Sequence, residues 1–181
     1  MKKEYLDIVN EEDEVIGKET RKKVHEIGLW HRGVHVFLFN EQGEMLIQKR
    51  SADRTSSPSL LDCSISEHVQ AGESYLDAAM RGLKEELGIE GIEGIELKKL
   101  VKFSMNYGIN DNEISVIYEG KIGTNIIKFD PVEIEEIEEI FYLSMNEIKE
   151  KIQTKKKLFC SWFVEMMDWY FEKETKLVVM A

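Results

Sequence analysis

Glu67 to Ile89 reads EHVQAGESYLDAAMRGLKEELGI. Leu76, Ala79, Met80, Leu83 and Leu87 recur at helical spacing and make an apolar stripe. Gly72 and Glu73 precede Ser74, the expected N-cap. Asp77, three residues on, completes an acidic form of the capping box. Gly88 stands where the helix should stop. At about 100° per residue, positions 78, 82, 85 and 86 share a flank beside the stripe. Glu85 and Glu86 are therefore expected to converge at the edge of a buried face. Adjacent carboxylates repel unless a positive charge lies between them. A hard, oxygen-seeking cation such as Mg²⁺ suits that place, because it keeps waters and phosphate oxygens in its shell. Two glutamates alone would read as a solvated helix face; the residues around them set this pair apart.

The rest of the composition sets bounds. A chain of 181 residues is expected to form a single domain over residues 1–181, with a full core. Charged residues are 33% and apolar residues 43%, as in globular proteins. A net charge of −11 argues against a nucleic-acid surface, which needs a basic field. It leaves a phosphate substrate open, since a bound cation inverts the local charge. No apolar run reaches membrane-spanning length, and the start MKKEYLDIVN lacks a signal-peptide core. Cys63 and Cys160 make no disulfide framework, so a reduced, cytoplasmic setting is expected.

Periodicity predicts a mixed α/β order. Residues 4–9 and 14–19 form an N-terminal hairpin around Glu11–Glu14. Val34–Asn40 and Met45–Lys49 form a second around Glu41-Gln42-Gly43. Ser51–Ser59 is a loop, and Leu61–Val69 is a strand leading into the helix. Glu96–Met105 and Glu113–Gly120 flank a turn at Tyr107–Asn112, and Ile137–Leu143 is a further strand. Ser144 caps a helix to about Ile152, and a closing helix rich in aromatics spans Leu158–Glu172, placing C-terminal helices within about 144–172. The acidic run Glu133–Glu139 reads as a solvated edge.

The stretch opening this section resembles the box of the Nudix hydrolases: G, five residues, E, seven residues, then R-E-U-x-E-E-x-G-U, with U aliphatic. Arg81, Leu83, Glu85, Glu86, Gly88 and Ile89 match, as does Glu73. Glu67 stands where the family has glycine, and Gly82 stands where it has the first glutamate of R-E-U. The resemblance implies a Nudix α/β/α sandwich, a mixed sheet between helices. It implies Mg²⁺ (or Mn²⁺) held by Glu85 and Glu86, and a Glu73–Arg81 pair fixing the loop against the helix.

Beyond the box, residues from about Asp7 to Trp162 resemble the Nudix branch of type I isopentenyl diphosphate isomerases and related hydrolases. The carriers are VHEIGLWHRGVHVFLFN (24–40), IQKRSADR (47–54), SISEHVQAGES (64–74), NDNEISVIY (110–118) and FCSWF (159–163). The isomerases' divalent-metal ligands map onto His25, His31, His68, Asp111 and Glu113, leaving His35 outside the pattern. That implies a second divalent metal at a His/acid cluster, with Zn²⁺, Mn²⁺ and Mg²⁺ all chemically compatible. Arg50 and Arg54 match residues that hold the diphosphate, and guanidinium groups suit bidentate phosphate contacts. Trp162 matches an aromatic lining the isoprenoid pocket. The isomerases' acid/base cysteine is replaced by Ser66, a much weaker acid with no activating neighbour evident in sequence. Alternation along a strand would point Cys63 to the face opposite Ser66.

Glu67 and Gly82 look like a reciprocal exchange, in which a carboxylate missing from the helix is supplied by the loop. The expected activity is a metal-dependent Nudix pyrophosphohydrolase. It would cleave a pyrophosphate bond in a nucleoside diphosphate derivative or similar small diphosphate, with Glu86, Glu85, Glu67 and Ser66 as catalytic candidates. The alternatives are an isopentenyl diphosphate isomerase with Ser66 for cysteine, and a catalytically weakened diphosphate-binding protein. The expected partner is a small-molecule diphosphate, with no nucleic acid and no membrane; a monomer and a homodimer both fit.

Overall fold

Val34, Val36 and Leu38 alternate with His35, Phe37 and Phe39 along one extended run, and this alternation builds the two faces of the molecule. The structure is a computed structural model and describes residues 4–89, 94–123 and 135–181. An N-terminal hairpin pairs β1 (Tyr5–Val9) with β2 (Val15–Thr20). Then follow α1 (Arg21–Ile27), β3 (Trp30–Phe39), β4 (Met45–Arg50), β5 (Leu61–Asp62), β6 (Ile65–His68) and α2 (Tyr75–Leu87). The chain continues through β7 (Leu97–Gly108), β8 (Asp111–Lys121), β9 (Ile137–Leu143), α3 (Met145–Lys155), a 3₁₀ turn (Lys156–Leu158), α4 (Ser161–Tyr170) and β10 (Val178–Val179).

The main sheet is mixed and eight-stranded, in the order β10-β7-β8-β3-β4-β5, with β6 also on β3 and β9 also on β4. β3 runs parallel to β8 from Trp30↔Asn112 to Phe39↔Lys121. Its pairing with β4 is confined to Phe39↔Met45, after which the two strands part and β6 enters beside β3. The expected Val34–Asn40/Met45–Lys49 hairpin therefore keeps its turn but not its ladder. An apolar strand does not specify which strand flanks it, and antiparallel β6 takes the edge that β4 was expected to hold.

One face packs on α2. Ala79, Leu83 and Leu87 meet Val34, Val36, Ile65 and Val116 in one buried cluster. The other face packs on α3 and α4, where Ile148, Ile152, Phe163 and Met167 meet Phe37, Phe103 and Ile117. This is an α/β/α sandwich. Ser74 caps α2 by accepting from Asp77 N–H, and Gly88 closes it at φ 58°. At Ser144 the capping box is complete, with Glu147 reaching back.

Several expected boundaries move. Leu61–Val69 is two short strands, broken where the Ser64 hydroxyl donates to Leu46 C=O and accepts from Leu38 N–H. The β7–β8 turn is tighter than Tyr107–Asn112, because Asn110 takes a left-handed φ of 61°. The closing helix is a 3₁₀ turn, a break at Phe159–Cys160, and α4. Leu76, assigned to the apolar stripe, is 45% exposed, while Ala78 is buried instead. The α1 helix was not expected from the sequence. Of the acidic run, Glu133 lies outside the described residues. Glu136 pairs with Arg54 and Glu138 with Lys49, so that edge is partly a partner for basic side chains. Among the described residues, no helix is long and apolar enough to cross a membrane.

Candidate active site

The register of β6 on β3 decides which side chains can meet. Val34 faces Glu67 and Val36 faces Ile65, on the α2 side. Gly33 faces His68 and His35 faces Ser66, on the α4 side. The acidic and histidine candidates are thereby sorted onto opposite faces of one short strand. Both groups open to a single cleft of about 1490 Å³, whose walls also carry Arg50, Arg54, Tyr107 and Trp162.

On the α2 face, Arg81 is the hub. Its guanidinium donates to both oxygens of Glu73 (2.9 and 3.1 Å), to Glu67 (3.2 Å), to Glu85 (3.1 Å) and to His68 C=O (2.9 Å). Glu86 is buried at 6% exposure; its Oε2 accepts from Gln48 (3.0 Å), and its Oε1 has no partner among the described residues. Burial raises Glu86 well above the usual carboxylate range, and Glu67 beside it adds to the rise. Burial also raises Glu67, against the pull of Glu86 and Arg81. Two carboxyls this close share a proton unless a cation replaces it. Glu85 points outward, its side chain 58% exposed, so Glu85 and Glu86 do not converge as the helix flank suggested. Glu86 converges instead with Glu67.

Gly82 explains why that meeting is possible. A Cβ there would lie 2.6 Å from Ile65 Cγ2 and 3.1 Å from Glu67 Cγ. The bare helix backbone thus lets β6 approach and leaves the space to the Glu67 side chain.

On the opposite face, His25, His31 and His68 bring their ring nitrogens together, and Asp111 and Glu113 join them. His25 Nε2 lies 3.2 Å from His68 Nε2, and His25 Nδ1 lies 3.4 Å from Asp111. Glu113 Oε1 lies 3.5 Å from His31 Nε2 and 3.7 Å from His68 Nε2. His31 Nδ1 donates to Leu29 C=O (3.0 Å), which turns its Nε2 inward. His31 Nε2 and Asp111 Oδ1 are buried and unpartnered among the described residues. Gly33 completes the cradle, since a Cβ there would lie 2.2 Å from Glu113 Oε2. Burial alone would lift Glu113, but the facing His31 ring, with His68 and His35 beyond it, wins and holds it well below the usual range. His31 is raised by the same pairing in spite of burial, whereas burial drives His68 well down. The donors fall in two overlapping triads, His25–His31–His68 and His31–Asp111–Glu113, and nitrogen and oxygen ligands so grouped fit a divalent cation. Glu67 and Glu86 on the α2 face offer a harder, all-oxygen donor set.

Arg50, at the end of β4, already has partners of its own. It is buried, 3.5 Å from Asp62, donates to Ser56 C=O, and lies over the Trp162 ring at 5.3 Å. Trp162 Nε1 donates to Asp62 (2.9 Å), so the fully buried Asp62 orients both. The sequence reading missed Asp62 and, more consequentially, His35. Ser66 Oγ lies 2.9 Å from His35 Nδ1, whose Nε2 lies 3.4 Å from the Tyr107 hydroxyl. Ser66 therefore has the basic neighbour that sequence did not reveal; the cross-strand pairing that supplies it is invisible without the register. Cys63 also departs from expectation. The break after β5 turns its Sγ to within 3.4 Å of Ser66 Oγ, while it donates to Ile65 C=O.

This sandwich and its carboxylate helix are those of a Nudix fold, and the NUDIX domain family model matches residues 29–163. The chain belongs to that family. It is 41% identical over 93 residues to an uncharacterized Nudix hydrolase of Clostridium acetobutylicum, covering 50% of this chain and 45% of that protein. It is 34% identical over 121 residues to an isopentenyl-diphosphate Delta-isomerase of Serratia proteamaculans, covering 65% of each. The chain thus spans about half to two thirds of the length of these curated relatives. Among solved structures, DR0079 from Deinococcus radiodurans superposes with a TM-score of 0.77 at 29% identity, covering 92% of this chain and 98% of that one. A MutT protein from Methanosarcina mazei shares the fold, with a TM-score of 0.60 at 18% identity, covering 80% and 96%.

Proposed function

We propose that this protein is a divalent-metal-dependent pyrophosphohydrolase acting on a nucleoside diphosphate derivative or a similar small diphosphate. The observation carrying this reading is the pair of buried donor sets opening to one cleft. Glu86 Oε1 is orphaned on one face, and His31 Nε2 and Asp111 Oδ1 are orphaned on the other. Native structures leave few such atoms unpaired without a missing ion or water. Membership of a hydrolase family whose members use divalent metals agrees with it.

In this reading Glu67 and Glu86 hold Mg²⁺ or Mn²⁺, and the five-residue His/acid cluster holds a second divalent ion. When bound, such ions neutralise phosphate oxygens and lower the pKa of a coordinated water. The chain's own residues supply the rest. Arg50 and Arg54 stand at the cleft as anion partners, Arg50 fixed by Asp62 and Arg54 tethered to Glu136. Arg81 binds Glu73, Glu67 and Glu85 at once and so holds the loop before α2 against the helix. Glu67, brought close by Gly82, takes the place of the carboxylate absent from position 82.

A second reading has one specific observation behind it. Ser66 with His35 at 2.9 Å is an acid/base pair of the kind an isomerase would need at that position. Incubating the protein with nucleoside diphosphate derivatives and isopentenyl diphosphate, with Mg²⁺ or Mn²⁺, separates the readings. Phosphate or mononucleotide release supports the hydrolase. Allylic isomer without phosphate release supports the isomerase, and tight binding with no turnover supports a binding protein.

A further inference from the structure

Asp62 in β5 is fully buried and does not itself line the cleft, yet its side chain holds two residues that do, Arg50 and Trp162. Its Oδ1 accepts from Cys63 N–H at 2.8 Å, and the Trp162 indole N–H donates across both oxygens at 2.9 Å each. Its Oδ2 faces Arg50 Nη1 at 3.5 Å. The backbone prepares this meeting. Leu61 C=O accepts from Cys160 N–H at 2.9 Å, which docks the start of α4 on β5 and brings Trp162 to Asp62. On its other side the Arg50 guanidinium donates to Ser56 C=O through Nε (3.3 Å) and Nη2 (3.1 Å), so the loop after β4 is tied in as well. Arg50 lies over the Trp162 ring, 5.3 Å from its centroid, and the Tyr107 ring meets Trp162 edge-on at 6.3 Å.

Three N–H donors thus converge on Asp62, and a carboxylate, which only accepts, satisfies all of them. A buried ion pair adds little net stability over apolar residues of the same volume. A need for placement explains Asp62 better, because both side chains it holds are walls of the cleft. With its single N–H spent on Asp62, the Trp162 ring is held in one orientation and offers a ligand only ring surface. We propose that Asp62 is a positioning residue of the substrate site, which locks the Trp162 ring against the Arg50 guanidinium and so fixes where the organic group of a diphosphate packs once its phosphates are held. The inference rests on the diphosphate reading above and deepens it. The organic group it selects presents apolar or aromatic surface beside the phosphate, not an acceptor for the indole N–H.

Two measurements test it. In ¹H–¹⁵N spectra of the full chain, the Trp162 indole resonance is identified by its loss in Trp162→Phe. It should exchange slowly with solvent, with and without ligand; exchange as fast as that of an exposed indole overturns the proposal. Calorimetry with Mg²⁺ then compares inorganic methylene diphosphate with α,β-methylene ADP and with the methylene analogue of isopentenyl diphosphate. Wild type should bind the better organic ligand at least about tenfold more tightly than the inorganic one. In Asp62→Asn, which keeps the volume but turns one acceptor into a donor, that ratio should fall to about threefold or less, and the indole N–H should lose its protection. Mere destabilisation lowers every affinity by the same folded fraction and leaves the ratio where it was. If Asp62→Asn does not fold, Trp162→Phe, which keeps a ring and the Asp62–Arg50 pair but removes the tether, should lower the ratio in its place. A ratio that persists in the folded variant, or a wild type with no preference for an organic ligand, overturns the proposal. If wild type releases phosphate or a mononucleotide from a nucleoside diphosphate derivative while the ratio persists in the variant, only this inference falls. If no diphosphate binds or turns over, the functional reading falls with it.

Discussion

Glu86, unlike its neighbour in sequence, is buried, and burial and Glu67 together raise its pKa. Its folded pKa is raised above the unfolded value, so between the two the native state holds a proton that the unfolded chain has released. Stability from this group is present at low pH and lost as pH rises from about 4.5 through the folded pKa. Metal-free protein should therefore unfold at a lower temperature as pH is raised above 5, and Glu86→Gln should flatten that part of the profile; parallel profiles would contradict the shared-proton description. The same variant should lose at least about a hundredfold of Mg²⁺-dependent turnover, measured as phosphate release. At Gly82 the prediction is steric. Gly82→Ala forces a methyl to within 2.6 Å of Ile65 Cγ2 and should destabilise by about 1–3 kcal/mol, read from denaturant unfolding. For the same reason Glu67→Gly with Gly82→Glu should not recover activity unless Ile65 is shortened to Ala as well.

Besides backbone contacts of Tyr5 and Leu6 with the loop before α2, the N-terminal hairpin is clasped to the sheet by a residue in its turn. Asp13, at φ 63° and nearly buried, accepts from Arg32 Nε at 2.6 Å and from the Tyr75 hydroxyl, and it pairs with Lys102. Asp13→Ala takes from Arg32 and Lys102 the carboxylate they share, and should cost about 3–5 kcal/mol. Hydrogen exchange should then quicken in β1 and β2 before it quickens in α2; uniform exchange across all three would contradict the clasp. Nothing in the local sequence announces this contact, which joins positions far apart in the chain. The α2 helix was legible because its stripe, its Ser74 cap and its Gly88 stop are local signals. The pairing along one edge of β3 was not, since an apolar strand does not say whether β4 or β6 runs beside it. The site divides the same way. Glu73, Arg81 and Glu86 stand at spacings a helix dictates, whereas the His35–Ser66 and Arg50–Asp62–Trp162 contacts depend on register and on the break before α4.

Across the whole molecule, the sheet separates two donor sets and the cleft reunites them. If both hold cations, added metal stabilises the folded state by mass action, about 2.7 kcal/mol at a hundredfold excess over Kd. For a domain of this size that is a rise of roughly 5–10 °C in Tm, reversed by a chelator and smaller in a His25→Ala, His68→Ala variant. A Tm indifferent to metal and chelator would argue against either site. The most direct measurement is anomalous diffraction from a crystal grown with Mn²⁺ and a methylene diphosphate. The account predicts one peak among His25, His31, His68, Asp111 and Glu113, and a second between Glu67 and Glu86 against the diphosphate oxygens. A map with the diphosphate bound and no peak at either place would contradict it.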